Sequence, residues 1–185
     1  MVRCSDICGL WASSGRGSGI RDPVAALTRN EVITKAFSFE AAIMPHVQPP
    51  NGYHTVVPYL VASDVGALIE FVTGAFDGII RERMVNSSGR IAHAEIEIGD
   101  SVVMMGEAQE NFAANSASLY LYVGDTVAVY AQALRRGATS VMEPADMYYG
   151  DRNAGVRDPA GNTWWIATRF RDVSAEELEK LAKDR

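Results

Sequence analysis

Cysteine is scarce in this sequence of 185 residues. Its two cysteines, Cys4 and Cys8, both lie close to the N-terminus. The rest of the chain therefore has no thiol for a disulfide, a thiolate zinc site or a cysteine nucleophile. Because the pair has no partner residues at metal-binding spacing, we interpret it as incidental rather than as a metal site.

Clusters of basic residues and long apolar runs are also lacking. The formal net charge is −6, and Lys and Arg do not cluster beyond the pair Arg135 and Arg136, which disfavours nucleic acid as a partner. No run approaches the roughly 18 consecutive apolar residues of a membrane-spanning helix, and no signal-peptide pattern opens the chain. We therefore expect a cytoplasmic protein without a membrane partner.

The composition that remains, 48% hydrophobic and 22% charged, is typical of a globular domain long enough to bury one core. Residues 1–43 differ from the rest, because the Ser/Gly-rich run at 13–19 has no periodic apolar face and only residues 31–43 have the pattern of a short helix. We expect a poorly ordered extension over 1–43. A proline-rich lead-in follows over 44–52, and Met44 is a candidate native start.

From Tyr53 onward, the order strand, helix and three strands occurs twice. Asp64 and Asp125 stand at predicted helix N-caps, and Gly78 and Gly137 at the predicted helix ends. The pattern predicts one domain over 53–170, with module one at 53–108 and module two at 117–170. The predicted elements of module one are a strand at 54–62, a helix at 65–76 and strands at 79–85, 90–98 and 101–106. Those of module two are a strand at 118–123, a helix ending at 136 and strands near 140–142, 154–157 and 163–168.

Two short segments of the modules match in sequence. Residues 58–64 match residues 119–125, which lie 61 positions later, and residues 99–101 match residues 161–163, which lie 62 positions later. Such self-similarity predicts a duplicated unit that pairs with itself. Beyond the modules, Ser174 and Glu177 form a capping box that predicts a C-terminal helix at 174–183.

The duplicated βαβββ unit resembles the vicinal oxygen chelate superfamily, the fold of glyoxalases, bleomycin-resistance proteins and related dioxygenases. The segment 149–165, and above all its Asp158-Pro159-Ala160-Gly161-Asn162 turn, is similar to the PhnB-like branch. The resemblance implies an α+β fold in which two paired modules form a U-shaped, cup-like mixed sheet with helices on the outside. It also implies a homodimer.

In metal-dependent members of this superfamily, the resemblance implies one divalent ion held by His or Glu from the first and last strand of each module. The corresponding positions here are Val57, Val103, Ser118 and Trp165. Because these side chains carry no carboxylate or imidazole, and a slip of one residue supplies none, we expect no metal and no cofactor at the usual site.

Strand alternation places aromatic side chains on the face that the cup would present. This face predicts a ligand that is apolar or aromatic and stacks on the rings, although the same rings could simply fill the space between the modules. Together with the loop before the last hairpin, the predicted ligand-binding residues are Val57, Tyr59, Val103, Ser118, Tyr120, Tyr122, Tyr149, Arg152 and Trp165.

Two polar motifs remain open to more than one interpretation. In His93-Ala94-Glu95-Ile96-Glu97-Ile98, alternation turns His93, Glu95 and Glu97 to one face, so His93 and Glu95 are candidates for a catalytic pair or a displaced metal site, or for a solvated strand face. In the predicted loop 147–152, Arg152 could bind a ligand carboxylate, or form a salt bridge with Asp151 or Asp158.

The leading hypothesis is a metal-independent small-molecule-binding protein that acts as a homodimer. The alternative is a metal-dependent lyase, isomerase or dioxygenase that uses a displaced site near His93 and Glu95, provided that His93 and two carboxylates converge within roughly 5 Å. A third hypothesis is an assembly module, which the absence of any cavity of about 300 Å³ would favour.

Overall fold

A computed structural model of the chain describes residues 48–183. The predicted extension at 1–43, both cysteines and residues 44–47 of the proline-rich lead-in lie outside the described residues. Within 48–183, no helix is long and apolar enough to cross a membrane.

The described chain contains eight strands and three helices. In chain order they are β1 (Tyr59–Ala62), α1 (Val65–Phe76), β2 (Ile79–Val85), β3 (Ile91–Ile98), β4 (Ser101–Glu107), β5 (Ser118–Tyr122), α2 (Thr126–Arg135), β6 (Thr139–Asp146), β7 (Asp151–Arg157), β8 (Thr163–Arg169) and α3 (Ala175–Lys183). The strands form two four-stranded sheets of equivalent order, β1-β4-β3-β2 and β5-β8-β7-β6. In each sheet the first pair is parallel and the others are antiparallel, which confirms the predicted α+β fold of two βαβββ modules.

Helices α1 and α2 begin as their capping residues predict. The Asp64 carboxylate accepts from the Ala67 N–H at 2.9 Å, and the Asp125 carboxylate accepts from the Ala128 N–H at 3.0 Å. The end of α1 differs from the prediction, because Asp77 and not Gly78 takes the left-handed conformation, with φ of 53°.

Strand β1 is shorter than predicted. The predicted strand began at His54, but pairing with β4 starts at Tyr59, opposite Met104. Pro58 has no N–H to donate and contributes only its carbonyl, which accepts from Met104 N at 2.9 Å. The β-branched residues before Pro58 therefore form no ladder with β4, and Val56 is 82% exposed.

Strands β6 and β7 are longer than predicted, and the loop between them is shorter. Strand β6 runs from Thr139 to Asp146, with register irregularities after Ser140 and after Met142. Strand β7 begins at Asp151, so Asp151 and Arg152 belong to a strand and not to the predicted loop.

One hydrophobic core is shared by both modules. One face of β3 and β4 packs against α1 through Ile96, Val103 and Met105, and Trp164 of β8 belongs to the same cluster. The rings of Phe76 and Trp164 join the modules, with centroids 4.8 Å apart. The side chain of Gln132 on α2 also donates to the carbonyl of Gly74 on α1 at 2.9 Å.

A buried carboxylate holds the turn before β8. Asp158 is 4% exposed, and its oxygens accept from the Asn162 backbone N–H and side-chain amide, both at 2.9 Å, and from Trp164 Nε1 at 2.8 Å. The side-chain oxygen Oδ1 of Asn162 in turn accepts from Ala117 N at 3.0 Å. Gly161 has φ of 94°, as the turn motif predicts.

Replacement of Asp158 by Ala should therefore destabilise the fold strongly, because three donors at the turn lose their acceptor and two of them belong to buried side chains. The expected loss is about 2–4 kcal/mol in free energy of unfolding, measured by urea denaturation. Asp100→Ala, at the exposed turn between β3 and β4, serves as the control and should cost much less. Equal effects of the two substitutions would contradict this role of Asp158.

Candidate functional site

The pairing registers reveal which residues of the two modules are structurally equivalent. In module one, a row across the sheet joins Tyr59, Met104, Glu95 and Glu82 through successive register pairs. The same pairs in module two join Tyr120, Trp165, Gly155 and Met142. Since Tyr59 and Tyr120 are 61 positions apart, as are Met104 and Trp165, one offset relates both parallel pairs.

This register corrects the predicted equivalence of Val103 and Trp165. The offset of 62 came from the turns, whose lengths differ: five residues, 158–162, separate β7 from β8, and two, Gly99 and Asp100, separate β3 from β4. Val103 is 4% exposed in the shared core, on the face opposite to Tyr59, and Met104 occupies the position that matches Trp165. A thioether is a poor ligand for a hard divalent ion, so the corrected position supplies no ligand of the expected type.

The open face of the second sheet carries a network centred on Asp151, which is 1% exposed. Its Oδ2 accepts from the hydroxyl of Tyr120 at 3.0 Å and lies 3.4 Å from that of Tyr122. Asn153 donates to the hydroxyls of Tyr120 and Tyr149 at 2.8 and 3.1 Å. Burial raises the pKa of Tyr120, and hydrogen bonds with Tyr149 and Asp151 act in the same direction. Tyr120 is therefore a protonated donor at neutral pH.

Ser118 and Trp165 lie on the same face, where Trp165 Nε1 donates to Ser118 Oγ at 3.1 Å. The Trp165 ring rests on Gly155, because a Cβ at that glycine would lie 2.7 Å from the ring atom Cζ3. Alternation predicted that Ser118, Tyr120, Tyr122 and Trp165 share this surface, and Tyr149, which was predicted from its loop, lies there as well.

The arginine of this face is Arg169, which the sequence analysis missed. Arg169 Nε forms an ion pair with Asp151 Oδ1, and hydrogen bonds to Tyr122 and Asp151 raise the pKa of Arg169. Continuing the alternation from Trp165 to the end of β8 would have found it. Arg152 lies on the other face of β7 and pairs with Asp146 at 2.6 and 3.0 Å, so the predicted salt bridge with Asp151 or Asp158 is wrong.

An open cleft of about 530 Å³ separates the edge strand β5 from the lead-in to β1 and from β4. Four predicted ligand-binding residues line it: Val57, Val103, Tyr120 and Tyr122. Its deepest residues include the core rings Phe76 and Trp164, and its rim includes His54, whose Nε2 lies 3.1 Å from the carbonyl oxygen of Asp100. This volume exceeds about 300 Å³, so the hypothesis of an assembly module without a ligand-sized cavity is not favoured.

The open face of the first sheet is acidic where the second is aromatic. His93 and Glu95 are 8% and 2% exposed, and His93 Nε2 lies 3.2 Å from Glu95 Oε1. The other oxygen of Glu95 accepts from the Tyr53 hydroxyl at 2.5 Å. Tyr59 packs against His93 with ring centroids 6.0 Å apart. Glu82, opposite Glu95 in the β2–β3 register, completes the group and was not predicted.

Glu97, the third residue of the predicted polar face, is separate from this group. Its carboxylate lies 3.6 Å from Arg81 Nε and forms a partly exposed ion pair. Glu107, at the end of β4, accepts from Arg90 Nε at 2.5 Å and from Ile91 N at 3.1 Å. The hydrogen bond with Arg90 lowers the pKa of Glu107, which is a structural role.

The architecture places the protein in the class of α+β folds that are built from paired βαβββ modules. Solved structures of other proteins have the same fold. TioX from Micromonospora sp. ML1 is 21% identical with a TM-score of 0.55, over 62% of this chain and 98% of that one. A gene product of Arabidopsis thaliana is 22% identical with a TM-score of 0.53, over 62% and 98%. At these identities the likeness concerns the fold alone.

The family model of the Glyoxalase/Bleomycin resistance protein/Dioxygenase superfamily matches residues 45–166. The chain belongs to this superfamily. It is also similar to an uncharacterized protein of Mycobacterium bovis, with 29% identity over 133 residues, which cover 66% of this chain and 88% of that relative. An uncharacterized protein of Mycobacterium tuberculosis is likewise 29% identical, over 78% of its length.

The ion pair beneath the tyrosines should contribute more to stability than a surface pair. Arg169→Ala removes the cation that faces Asp151, whose side chain is 2% exposed, and should lower the free energy of unfolding clearly more than the loss of an exposed pair does. Arg171→Ala is the matched control, because Arg171 has a similar exposure but pairs with the exposed Glu177, and its loss should cost under about 1 kcal/mol. Urea denaturation of both variants measures the difference, and equal losses would contradict it.

Proposed function

We propose that this member of the superfamily is a metal-independent small-molecule-binding protein, whose apolar or aromatic ligand lies in the cleft beside β5. The observation that carries the proposal is the convergence of Val57, Val103, Tyr120 and Tyr122 on one open cleft of about 530 Å³. Ligand sites of drug-sized molecules have volumes of roughly 300–1,000 Å³ and mostly apolar walls with a few fixed polar groups.

The orientation of the two tyrosines supports this proposal. Tyr120 and Tyr122 are 45% and 60% exposed, yet both hydroxyls point to Asp151. Their rings are 5.2 Å apart, so they form a continuous aromatic surface. Because hydrogen bonds already restrict the rings, a stacking ligand would lose less side-chain entropy on binding.

The chemistry of the usual metal positions is consistent with a ligand held by side chains alone. Val57, Met104, Ser118 and Trp165 provide neither carboxylate nor imidazole. Ligand binding in the cleft therefore requires no metal ion. The Asp158 turn, similar to the PhnB-like branch, makes that branch our proposed placement within the superfamily, and a bleomycin-resistance-like sequestering role and a cytoplasmic location belong to the same proposal.

A second candidate function is a metal-dependent lyase, isomerase or dioxygenase reaction centred on His93 and Glu95. The observation that favours it is the burial of His93 against Glu95, at 8% and 2% exposure, where a solvated strand face would turn His93 to bulk water. The two functions use different modules. A His93 variant that keeps ligand binding but loses a reaction would assign the reaction to this second site.

Binding of 2-naphthol should test the aromatic cleft, with the saturated analogue 2-decalol as its matched probe. Stacking on Tyr120 and Tyr122 should make 2-naphthol bind about 3–10-fold more tightly, since aromatic pairs contribute about 0.5–1.5 kcal/mol beyond area burial. Tyr122→Leu should remove most of this preference. Equilibrium dialysis, with and without EDTA, measures the affinities, and EDTA should change neither.

Tyr130→Leu is the control for the same chemical change, because Tyr130 lies on α2 and its hydroxyl donates to Ser140 at 2.7 Å, outside the cleft. This variant should keep the preference for 2-naphthol. The proposal fails if the two probes bind equally, if neither binds, or if Tyr130→Leu and Tyr122→Leu have the same effect.

Homodimer formation is a further part of the proposal, supported by the exposed edge strand β2. All seven residues of β2 are exposed, and Ile79, Ile80, Met84 and Val85 are 65%, 49%, 38% and 53% exposed. Exposed apolar side chains at both ends of an edge strand, on either side of Arg81, Glu82 and Arg83, mark a surface for association. The expected mass in solution is therefore twice the 20.1 kDa of the chain.

Sedimentation equilibrium at micromolar concentration measures this mass. Ile80→Lys should shift the protein toward the monomer, because it places a charge in the apolar pair at the start of β2. Glu110→Lys, in the exposed loop after β4, should leave the dimer intact. A monomeric native chain, or a dimer that Ile80→Lys leaves unchanged, would contradict pairing through β2.

A further inference from the structure

Three side chains of metal-ligand type converge on the open face of the first sheet. Glu82, His93 and Glu95 each offer one ligand atom, and these atoms all lie within 4.8 Å of one another. Glu82 comes from β2, whereas His93 and Glu95 are two residues apart on β3 and share a face. The group lies on β2 and β3, whereas the usual metal positions lie in the lead-in to β1 and on β4, β5 and β8.

The spacing already suits two ligands of one ion. For bonds of about 2.0–2.2 Å, ligand atoms around a tetrahedral or octahedral ion are about 3.0–3.5 Å apart. His93 Nε2 and Glu95 Oε1 are 3.2 Å apart and buried, so these two are in place. Glu82 is exposed, and rotation of its side chain would bring its oxygen from within 4.8 Å of the other two ligand atoms to the same spacing.

The two carboxylates of the group would be stabilised by a cation between them. Glu82 and Glu95 face each other directly across β2 and β3, where like charges destabilise a sheet. Glu95 is 2% exposed, so water screens its charge poorly. The neighbouring Arg81 is directed to Glu97 and to the Tyr53 ring, with its guanidinium 5.0 Å from the ring centroid. An ion between the carboxylates would relieve their repulsion.

The surroundings of the group resemble the outer shell of a metal site. Tyr53 donates to Glu95 Oε2, which leaves Oε1 on the side of His93. Such hydrogen bonds fix the orientation of a ligating carboxylate and typically change metal affinity by 10–100-fold. Tyr59 packs against the imidazole and restricts its rotation.

We propose that Glu82, His93 and Glu95 bind one first-row divalent transition-metal ion. One imidazole nitrogen with two carboxylate oxygens suits Zn²⁺, Fe²⁺, Co²⁺, Ni²⁺ or Mn²⁺. Three protein ligands leave at least one position for water or a substrate oxygen, as in catalytic metal sites. The inference stands apart from the cleft ligand and would supply the cation on which the second candidate function depends.

Titration with Co²⁺ tests the site, because the ion alone serves as the probe and its visible d–d absorption reports the coordination. Full-length protein without a histidine tag should bind one Co²⁺ per chain, and Zn²⁺ should displace it. His93→Gln and Glu82→Gln should each weaken binding by about tenfold or more and change the absorption. Tyr53→Phe should weaken it by a smaller factor and retain the absorption bands.

Glu97→Gln is the matched control, because Glu97 lies on the same strand and face but pairs with Arg81. It should leave Co²⁺ affinity within about twofold. Glu82→Gln should lose metal binding without unfolding, because an exposed residue of an edge strand can be replaced without disturbing the core. Urea denaturation measures whether this variant is folded.

The proposal is overturned if native protein binds no Co²⁺, or if Glu97→Gln loses binding as Glu82→Gln does. Its failure is separable from that of the cleft ligand. Glu82→Gln should leave 2-naphthol affinity unchanged, and Tyr122→Leu should leave Co²⁺ affinity unchanged, so that each variant reports on one module.

Discussion

The hydrogen bond from the Trp164 indole to the Asp158 carboxylate is the interaction on which the packing of the two modules depends. Trp164 is 1% exposed, and its ring lies against Phe76 of the other module. A buried indole N–H without an acceptor would cost about 1–3 kcal/mol, so the ring can occupy the shared core only because Asp158 is buried beside it. The same carboxylate holds the side chain of Asn162, whose Oδ1 accepts from Ala117 N and so fixes the start of β5.

This packing decides which sheet faces remain open for chemistry. The core takes one face of β3, β4 and β8, which carry Ile96, Val103 and Ile166, and leaves the alternate residues on the other face. His93 and Glu95 are therefore presented together in module one, as are Asp151 and Asn153 in module two. A shift of one residue in either register would move these polar groups into the apolar core.

Local signals in the sequence were sufficient to predict the modules. The aspartates before α1 and α2, the Asp158 turn and the capping box before α3 each specify nearby backbone, and the structure has elements at those places. The alternation that grouped Tyr120, Tyr122 and Trp165 also holds, because it depends only on strand geometry. The end of α1 was less certain, since either Asp77 or Gly78 can adopt a left-handed conformation.

Features that depend on pairing between strands could not be read from the sequence. The position of Met104 opposite Tyr59 requires the β1–β4 register, and the longer turn in module two concealed the true offset from Val103 to Trp164. Glu82 joins His93 only through the β2–β3 register, across a bulge between Ile80 and Glu82 that no local pattern indicates. The partner of Arg152 likewise depends on how far β6 and β7 extend, because Asp146 and Arg152 are a register pair.

The duplicated modules differ in chemistry because they carry different residues at two equivalent central positions. At the equivalent central positions, module one has Glu95 beside Met104, and module two has Gly155 beside Trp165. Any side chain at 155 would collide with the Trp165 ring, so the aromatic surface of module two excludes a carboxylate at that position. In module one Met104 is the register partner of Glu95, and His93 stands where module two has Asn153. One module thus gains an aromatic surface and the other a buried acid beside an imidazole, on the same backbone.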